Sequence, residues 1–434
     1  MYRSKTYSVD NIELFKKQIT AFFASFQTVC ILDSHSEVYP SHNYSFNEFD
    51  CLYAAEEVIS ISSSKNNDLK DLDNYFNVNP GWLLGYLTYD IKNTIENLKS
   101  ENPDYLQWPD FYFFQPKYLV QINKKNIEVK TWNNSGFSPD ELFKEINSVN
   151  ITGNNKQKKD IRFNPRLSKN QYTEKLKHIH AHIARGDIYE VNFCQEFYAY
   201  SSFNPFQSFI DLANMSPAPF STFFRLKSKY LVSASPERYL KKHNNKIISQ
   251  PIKGTARRGN TPEEDKRLVK ELLESPKDRA ENIMIVDLVR NDLSRIAEPN
   301  TVKVDELCGV YSFRHVHQLI STVSAESKEN SLDKIFRCTF PMGSMTGAPK
   351  VRAMQIAEEY ESTKRGLYSG AVGYITPEKD FDFNVVIRSL QYNAENEYLS
   401  FMVGGAITFM SDDESEYEEC LVKAASIEKI LCSE

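Results

Sequence analysis

No run of about 18 apolar residues occurs anywhere in the 434-residue chain, and no apolar h-region follows the opening MYRSKTYSVD. Nothing in the sequence therefore reads as a membrane span or a secretory leader. The seven cysteines (Cys30, Cys51, Cys194, Cys308, Cys338, Cys420 and Cys432) lie far apart, with no CxxC and no Cys/His cluster. That pattern offers neither a zinc spacing nor a disulfide framework. It fits buried free thiols in a reducing compartment, so the expected location is cytoplasmic. Lys and Arg form no arm or stripe, and the net charge is −6, which argues against nucleic acid as a partner. No internal repeat is present. What remains is ordinary globular composition, 41% apolar and 25% charged, long enough for one large domain or two smaller ones.

A polar stretch without periodicity, 152–160, reads as a linker or exposed loop. It separates a β-rich region rich in aromatics, 1–155, from a region dense in signals, 160–434. The second region alternates helices with paired strands. A helix is predicted over 169–185, with Tyr172, Leu176, Ile179 and Ile183 on one face. Thr261-Pro262-Glu263-Glu264 and Ser275-Pro276-Lys277-Asp278 are two helix starts, each with a capping hydroxyl followed by proline. Strands are predicted over 370–376, 382–393 and 398–407 as an antiparallel meander, followed by a last helix over 414–431. Long antiparallel strands with helices in blocks point to an α+β fold.

Several residues are candidates for chemistry. Asp278 with Glu281, and Glu416 with Glu419, share helix faces at i,i+3 spacing. Two such helices can hold one Mg²⁺, which takes oxygen ligands and keeps several waters. By spacing alone the same residues also fit solvated helix faces, with Glu419 and Lys423 as an i,i+4 ion pair. Lys253 precedes Gly254 at a strand end, where a desolvated amine becomes a nucleophile and an exposed one does not. Glu237 follows Pro236 at a strand break, and burial there would raise its pKa toward that of a general acid. The segment from Gly343 to Lys350 opens a helix and resembles an anion-binding loop, but it lacks the GxxxxGK[ST] spacing of a nucleotide site. Gly404 and Gly405 allow a flat ligand to approach the backbone. Arg388, in a strand shared with Asn384, Val386 and Leu390, calls for a carboxylate partner, from substrate or protein.

In order along the chain stand GDIYEVNF at Gly186, SPERYL at Ser235, PIKGTARRG at Pro251 and AENIMIVDLVRNDLSRI at Ala280. They continue with GSMTGAPKVRAM at Gly343, SGAVGYI at Ser369, VVIRS at Val385 and EYEECLVKA at Glu416. These blocks resemble the chorismate-binding enzymes, from about Asn170 to the C-terminus. The resemblance implies a two-layered antiparallel β-sandwich flanked by helices, with the two regions packed as one body. Within that family, the lysine of the PIKGT block is similar to the branch that makes 4-amino-4-deoxychorismate on the way to p-aminobenzoate and folate.

The resemblance implies Mg²⁺ held by Glu281 and Glu419, with Asp278 and Glu416 behind them, and Lys253 attacking the ring of chorismate while Glu237 acts as general acid. It places Arg388 and Tyr374 on the enolpyruvyl carboxylate, with Thr255, Gly404, Gly405, Lys423 and Lys350 completing the pocket. Ammonia is expected from a separate glutamine amidotransferase, since no cysteine here sits in a nucleophile elbow. Two positions depart from the family. Glu190 stands where ammonia users carry Gln and water users carry Lys; it is either a neighbour of Lys253 or a base for ammonium. Gln318 stands where His is common, and a glutamine cannot shuttle a proton as imidazole does, which disfavours anthranilate formation. Ile31-Leu32-Asp33-Ser34 also departs from the Leu-Leu-Glu-Ser of the tryptophan site in anthranilate synthases. The alternatives are an anthranilate synthase component I and a non-catalytic chorismate-binding subunit.

Overall fold

Two long strands, Cys51–Ser62 and Phe111–Asn123, hold the architecture together. The computed structural model describes residues 1–36, 38, 49–63, 68–151 and 161–432, so the predicted linker at 152–160 lies outside the described residues. The two strands pair antiparallel along their length, and a bulge between Glu57 and Ile59 turns their ends into different sheets.

On one side of the bulge a first sheet begins. It runs from Tyr2–Ser8 through Asn126–Trp132 and the two long strands to Thr28–Asp33, Phe220–Leu226, Lys229–Ser235, Ser389–Asn393, Tyr398–Thr408 and Glu190–Tyr200. On the other side a second sheet passes through Leu83–Leu87, Ala371–Ile375, Phe381–Asn384, Arg238–His243 and Lys246–Gln250 to Val316–Glu326. That last strand also pairs with Ile252–Arg257 and Lys303–Ser312. All of these pairings are antiparallel.

The inner faces of both sheets share one core, in which Leu52, Phe224 and Leu231 of the first meet Leu84, Tyr86 and Val372 of the second. Tyr86 and Phe224 touch edge to face across the layers, with ring centroids 5.2 Å apart. Helices cover the outer faces. Ile12–Phe23, Pro139–Ser148 and Pro205–Met215 lie over one end of the first sheet, and Lys169–Ala184, Lys350–Tyr360 and Asp413–Cys432 over the other. Pro276–Ser294 and Leu332–Thr339 cover the second sheet. This is the expected α+β sandwich flanked by helices. Strands from the N-terminal region sit inside both sheets.

The capping signals hold: Thr261 and Ser275 accept from Glu264 N–H and Asp278 N–H, and each is followed by proline. Tyr172, Leu176, Ile179 and Ile183 are the buried face of their helix. No described helix is long and apolar enough to cross a membrane. Of the seven cysteines, Cys30, Cys51, Cys194, Cys308, Cys338 and Cys420 are free thiols.

One expectation is corrected. The strand predicted over 382–393 is two strands, Phe381–Asn384 in the second sheet and Ser389–Asn393 in the first. Its alternation continues through 385–388 because the chain stays between packed layers while it crosses from one sheet to the other. Arg388 turns that crossing with φ +48° and is not in a strand. The neighbouring chain crosses beside it, at Pro236-Glu237, between Lys229–Ser235 and Arg238–His243. Val385 N–H donates to the Glu237 carbonyl and Ala234 N–H to that of Arg388, so the two crossings are tied together.

Beside the crossing, Asp382 accepts from Arg238 Nε at 2.9 Å and Nη2 at 3.0 Å, and Arg238 is fully buried. Asp382→Ala removes the carboxylate and leaves the guanidinium in the core. We expect a loss of about 3–5 kcal/mol, read as a lower denaturant midpoint; an unchanged midpoint would show that the pair does not anchor the crossing.

Candidate active site

At the end of the sandwich marked by these crossings, side chains from both sheets and two helices converge. Lys253 lies in Ile252–Arg257, whose register slips between Ile252 and Thr255. The slip is made by Gly254 at φ +91°, where a Cβ would stand 3.0 Å from that of Asp278. Asn282 on Pro276–Ser294 donates to the carbonyls of Lys253 and Leu319, fixing the bulge. The lysine Nζ reaches Glu190 Oε1 at 3.0 Å. Glu190 opens Glu190–Tyr200 in the first sheet and is fully buried. Burial lowers the Lys253 pKa, but Glu190, by charge and hydrogen bond, with Glu281 and Glu237 beyond it, outweighs this and holds the amine above its ordinary range.

Glu237 is buried at the crossing. It accepts from Ser344 Oγ at 2.6 Å and from the Ile252 N–H. Burial pushes its pKa up to about 7, against the pull of Ser344, Lys253 and Arg388. A carboxyl poised there can give up a proton near neutral pH.

Glu281 on Pro276–Ser294 and Glu419 on Asp413–Cys432 both lie within electrostatic reach of Lys253 and Lys277. Burial raises Glu281 to about 7, with Lys253 opposing and Glu190 adding to the rise. Burial also acts on Glu419, but Lys423, Lys277 and Lys253 outweigh it and hold it below its usual range. Glu416 is raised, chiefly by burial. Its Oε2 lies 3.0 Å from where a Cβ on Gly405 would be, so the glycine leaves that carboxylate close to the backbone. Lys423 pairs with Glu419 at 2.7 Å and donates to the Gly404 carbonyl at 2.8 Å. Asp278 takes the hydroxyl of its own helix cap, Ser275.

Among the described residues, no three His, Cys, Asp or Glu side chains come together as a metal cluster. A pair of carboxylates from two helices nevertheless suits Mg²⁺, which needs only one or two from the protein beside waters and substrate oxygens. Glu281 Oε1 is buried with no hydrogen-bond partner among the described residues, an acceptor suited to a cation. The residues present therefore fit the ion.

Two expectations fail. Lys350 does not face this site: its Nζ is held by Asp292, joining two helices. The loop before it is instead a short strand, Gly347–Ala348, paired with Val191 and Glu190. Gly347 has φ +140°, and a Cβ there would stand 2.2 Å from the Glu190 carbonyl. Tyr374 lies elsewhere as well. Its ring packs with Trp82 and Phe49, lining a cavity of about 50 Å³ beside Asp33 and Ser34. The tyrosine near the converging groups is Tyr368, whose hydroxyl bonds to Cys194, the strand partner of Gly404. Thr255 is brought beside Gln318, which donates to its Oγ1 at 3.4 Å.

The sequence blocks and this geometry coincide with one family. A family model described as chorismate binding enzyme matches residues 22–429. The chain belongs to the chorismate-binding enzyme family. It is 41% identical over 266 residues to aminodeoxychorismate synthase component 1 of Escherichia coli K12, a match covering 61% of this chain and 58% of that protein. It is 35% identical to the protein of the same name in Klebsiella aerogenes, over 80% of this chain and 76% of that one. Anthranilate synthase component 1 of Saccharolobus solfataricus is 34% identical over 84% of this chain and 83% of its own length. Among solved structures, anthranilate synthase component I of Streptococcus pneumoniae superposes with a TM-score of 0.76 at 27% identity, covering 87% of this chain and 91% of that one. The menaquinone-specific isochorismate synthase of Escherichia coli shares the fold, with a TM-score of 0.79 at 15% identity over 99% and 95% of the two chains.

Because Glu237 ionises near 7 when folded and near its ordinary 4.5 when unfolded, folding carries a cost that grows as pH rises between those values. Glu237→Gln should therefore leave stability unchanged near pH 4.5 and raise it above pH 7, by roughly 3 kcal/mol at most. Unfolding midpoints of both proteins across that range provide the check; a pH-independent difference would place the Glu237 pKa elsewhere.

Proposed function

We propose that this enzyme aminates chorismate at ring C4, giving 4-amino-4-deoxychorismate for p-aminobenzoate and folate synthesis, with Mg²⁺ in the site and ammonia from a separate glutamine amidotransferase. The observation that carries this reading is a buried lysine, Lys253, set between Glu190 and the protonatable Glu237.

Chorismate is a dianion, and Mg²⁺ at Glu281 and Glu419 would supply positive charge for its ring carboxylate. Arg388, close enough to Glu237 to lower its pKa, is the cation for the enolpyruvyl carboxylate. Lys253 gives one proton to Glu190, and its Nζ bonds to C2 as the two ring double bonds shift and the 4-hydroxyl departs as water with the proton of Glu237. Ammonia then bonds to C4, the double bonds shift back, the C2–Nζ bond breaks, and Lys253 and Glu237 regain protons from Glu190 and from solvent. Lys253, Glu190 and Glu237 are withdrawn from water, which favours attack by the lysine over hydrolysis.

Pyruvate elimination to anthranilate is disfavoured by Gln318, which faces Thr255 with an amide where an imidazole would be needed. His317 is next in the chain but is occupied by Asp265 and Ser312.

With chorismate, MgCl₂ and NH₄Cl, the expected product by chromatography and mass spectrometry is 4-amino-4-deoxychorismate; fluorescent anthranilate would overturn the reading. Glu237→Gln should lower kcat by roughly 10²–10⁴-fold. With ammonia withheld, intact-protein mass spectrometry should show a chorismate-derived adduct that maps to Lys253 and is absent from Lys253→Ala. A turnover-competent enzyme that never forms this adduct would refute covalent catalysis.

A further inference from the structure

Arg365 takes no part in the reaction above, yet it is one of the largest side chains buried completely in the protein. It follows the helix Lys350–Tyr360 and pairs with Glu361, which is also buried. All five of its N–H groups are used. Nε donates to Glu361 Oε2 at 2.9 Å, and Nη2 donates to Glu361 Oε1 at 2.6 Å and to the Asn192 carbonyl at 2.8 Å. Nη1 donates to the Met345 carbonyl at 2.8 Å and to Ser369 Oγ at 3.3 Å. Glu361 Oε1 also accepts from the Cys194 N–H at 3.0 Å. Asn192 and Cys194 belong to the strand Glu190–Tyr200, whose short partner Gly347–Ala348 pairs only with Val191 and Glu190. The Asn192 N–H still reaches the Thr346 carbonyl. Past that point, the Asn192 carbonyl and the Cys194 N–H are the groups that a longer partner strand would pair. Arg365 and Glu361 supply the donor and the acceptor instead. A buried ion pair adds little net stability, so the use of this one is geometric.

We infer that Arg365, oriented by Glu361, is a positioning residue that holds Ser344 against Glu237. Ser344 stands in the turn Gly343–Met345, and its Oγ donates to Glu237 Oε1 at 2.6 Å. The Met345 carbonyl that Arg365 grips is the next along the chain. One guanidinium thus ties the turn carrying Ser344 to the strand that begins at Glu190, and none of its donors is left for a substrate. Lysine would keep the charge, but its three donors radiate from one point and cannot span these acceptors. The inference rests on the proposed function only in taking Glu237 as the acid. Ser344, Lys253, the Ile252 N–H and Arg388 face Glu237, and each favours its ionised form. Releasing the turn removes the Ser344 hydrogen bond, so the acid should hold its proton to higher pH.

Activity that needs a protonated acid falls on the basic side of its pH profile. Arg365→Lys should lower kcat for chorismate consumption roughly 10-fold to 100-fold and move that basic limb upward by about half a pH unit or more. Ser344→Ala should move the limb in the same direction, and the two changes together should shift it no further, because both act through one hydrogen bond. A variant at Arg365 that loses rate or stability while its basic limb stays where the wild type has it would show a merely structural pair and overturn the inference; additive shifts would overturn it too. Glu361→Gln keeps the size of the side chain and removes the charge that orients Arg365. It should give the same upward shift, and it decides the matter if Arg365→Lys does not fold. Chorismate consumption is followed whatever the product, so a product other than 4-amino-4-deoxychorismate removes the proposed function and leaves this inference to the limb. Unfolding gives a readout without turnover. The stability gained by Glu237→Gln should level off at higher pH in the Glu361→Gln background than in the wild type; the same plateau in both would overturn the positioning role.

Discussion

A 3.0 Å contact between the two sheets, Lys253 Nζ on Glu190 Oε1, is the interaction on which the site depends. A buried ion pair of this kind adds little to net stability, yet breaking it leaves a charge stranded in the core. Its value is geometric. Lys253 sits on a glycine bulge that Asn282 pins from a helix, and Glu190 starts a strand that Gly347 can flank only because it has no side chain. Neither residue has a choice of position once its backbone is set. The amine therefore stays charged and oriented in the free enzyme, and its proton has one short path away.

The same economy appears at the two chain crossings. Glu237 and Arg388 lie where adjacent strands leave one sheet for the other, and the crossings hydrogen-bond to each other. Strand ends that diverge between sheets expose backbone and side chain to a common opening, while the layers behind them exclude water. Burial then raises Glu237 to about 7, and the nearby Lys253 and Arg388 keep it from rising further. The acid is tuned by its place in the topology as much as by its neighbours.

Much of this was legible beforehand, and the failures have physical reasons. Lys253, Glu237, Glu281 and Glu419 stand in recognisable blocks; the helix that carries Glu281 announces itself by Ser-Pro capping, and both helices by carboxylates at i,i+3 spacing. The crossing at 385–388 was not legible, because a chain passing between two apolar layers keeps the alternation of a strand. Tyr374 came from the resemblance of the SGAVGYI block, and a block match does not show which of two cavities a side chain lines. Lys350 looked like an anion ligand because it opens a helix beside glycines, and only the packing of that helix against Asp292 shows how it is used. Asn282 and Ser344 carried no local signal beyond membership of the blocks, and Tyr368 stands just outside one; each acts through a hydrogen bond to a residue distant in sequence.

A site with Glu190, Glu237, Glu281, Glu416 and Glu419 suits a dianionic substrate only when its protons and cations are counted together. Two of these, Glu237 and Glu281, ionise near 7 and so share protons at neutral pH. Lys253, Lys423 and Arg388 offset the others, and the orphaned oxygen of Glu281 is suited to a divalent ion. Each added cation lowers the cost of ionising a neighbouring carboxyl, so these groups act as one coupled set of charges and not as separate sites.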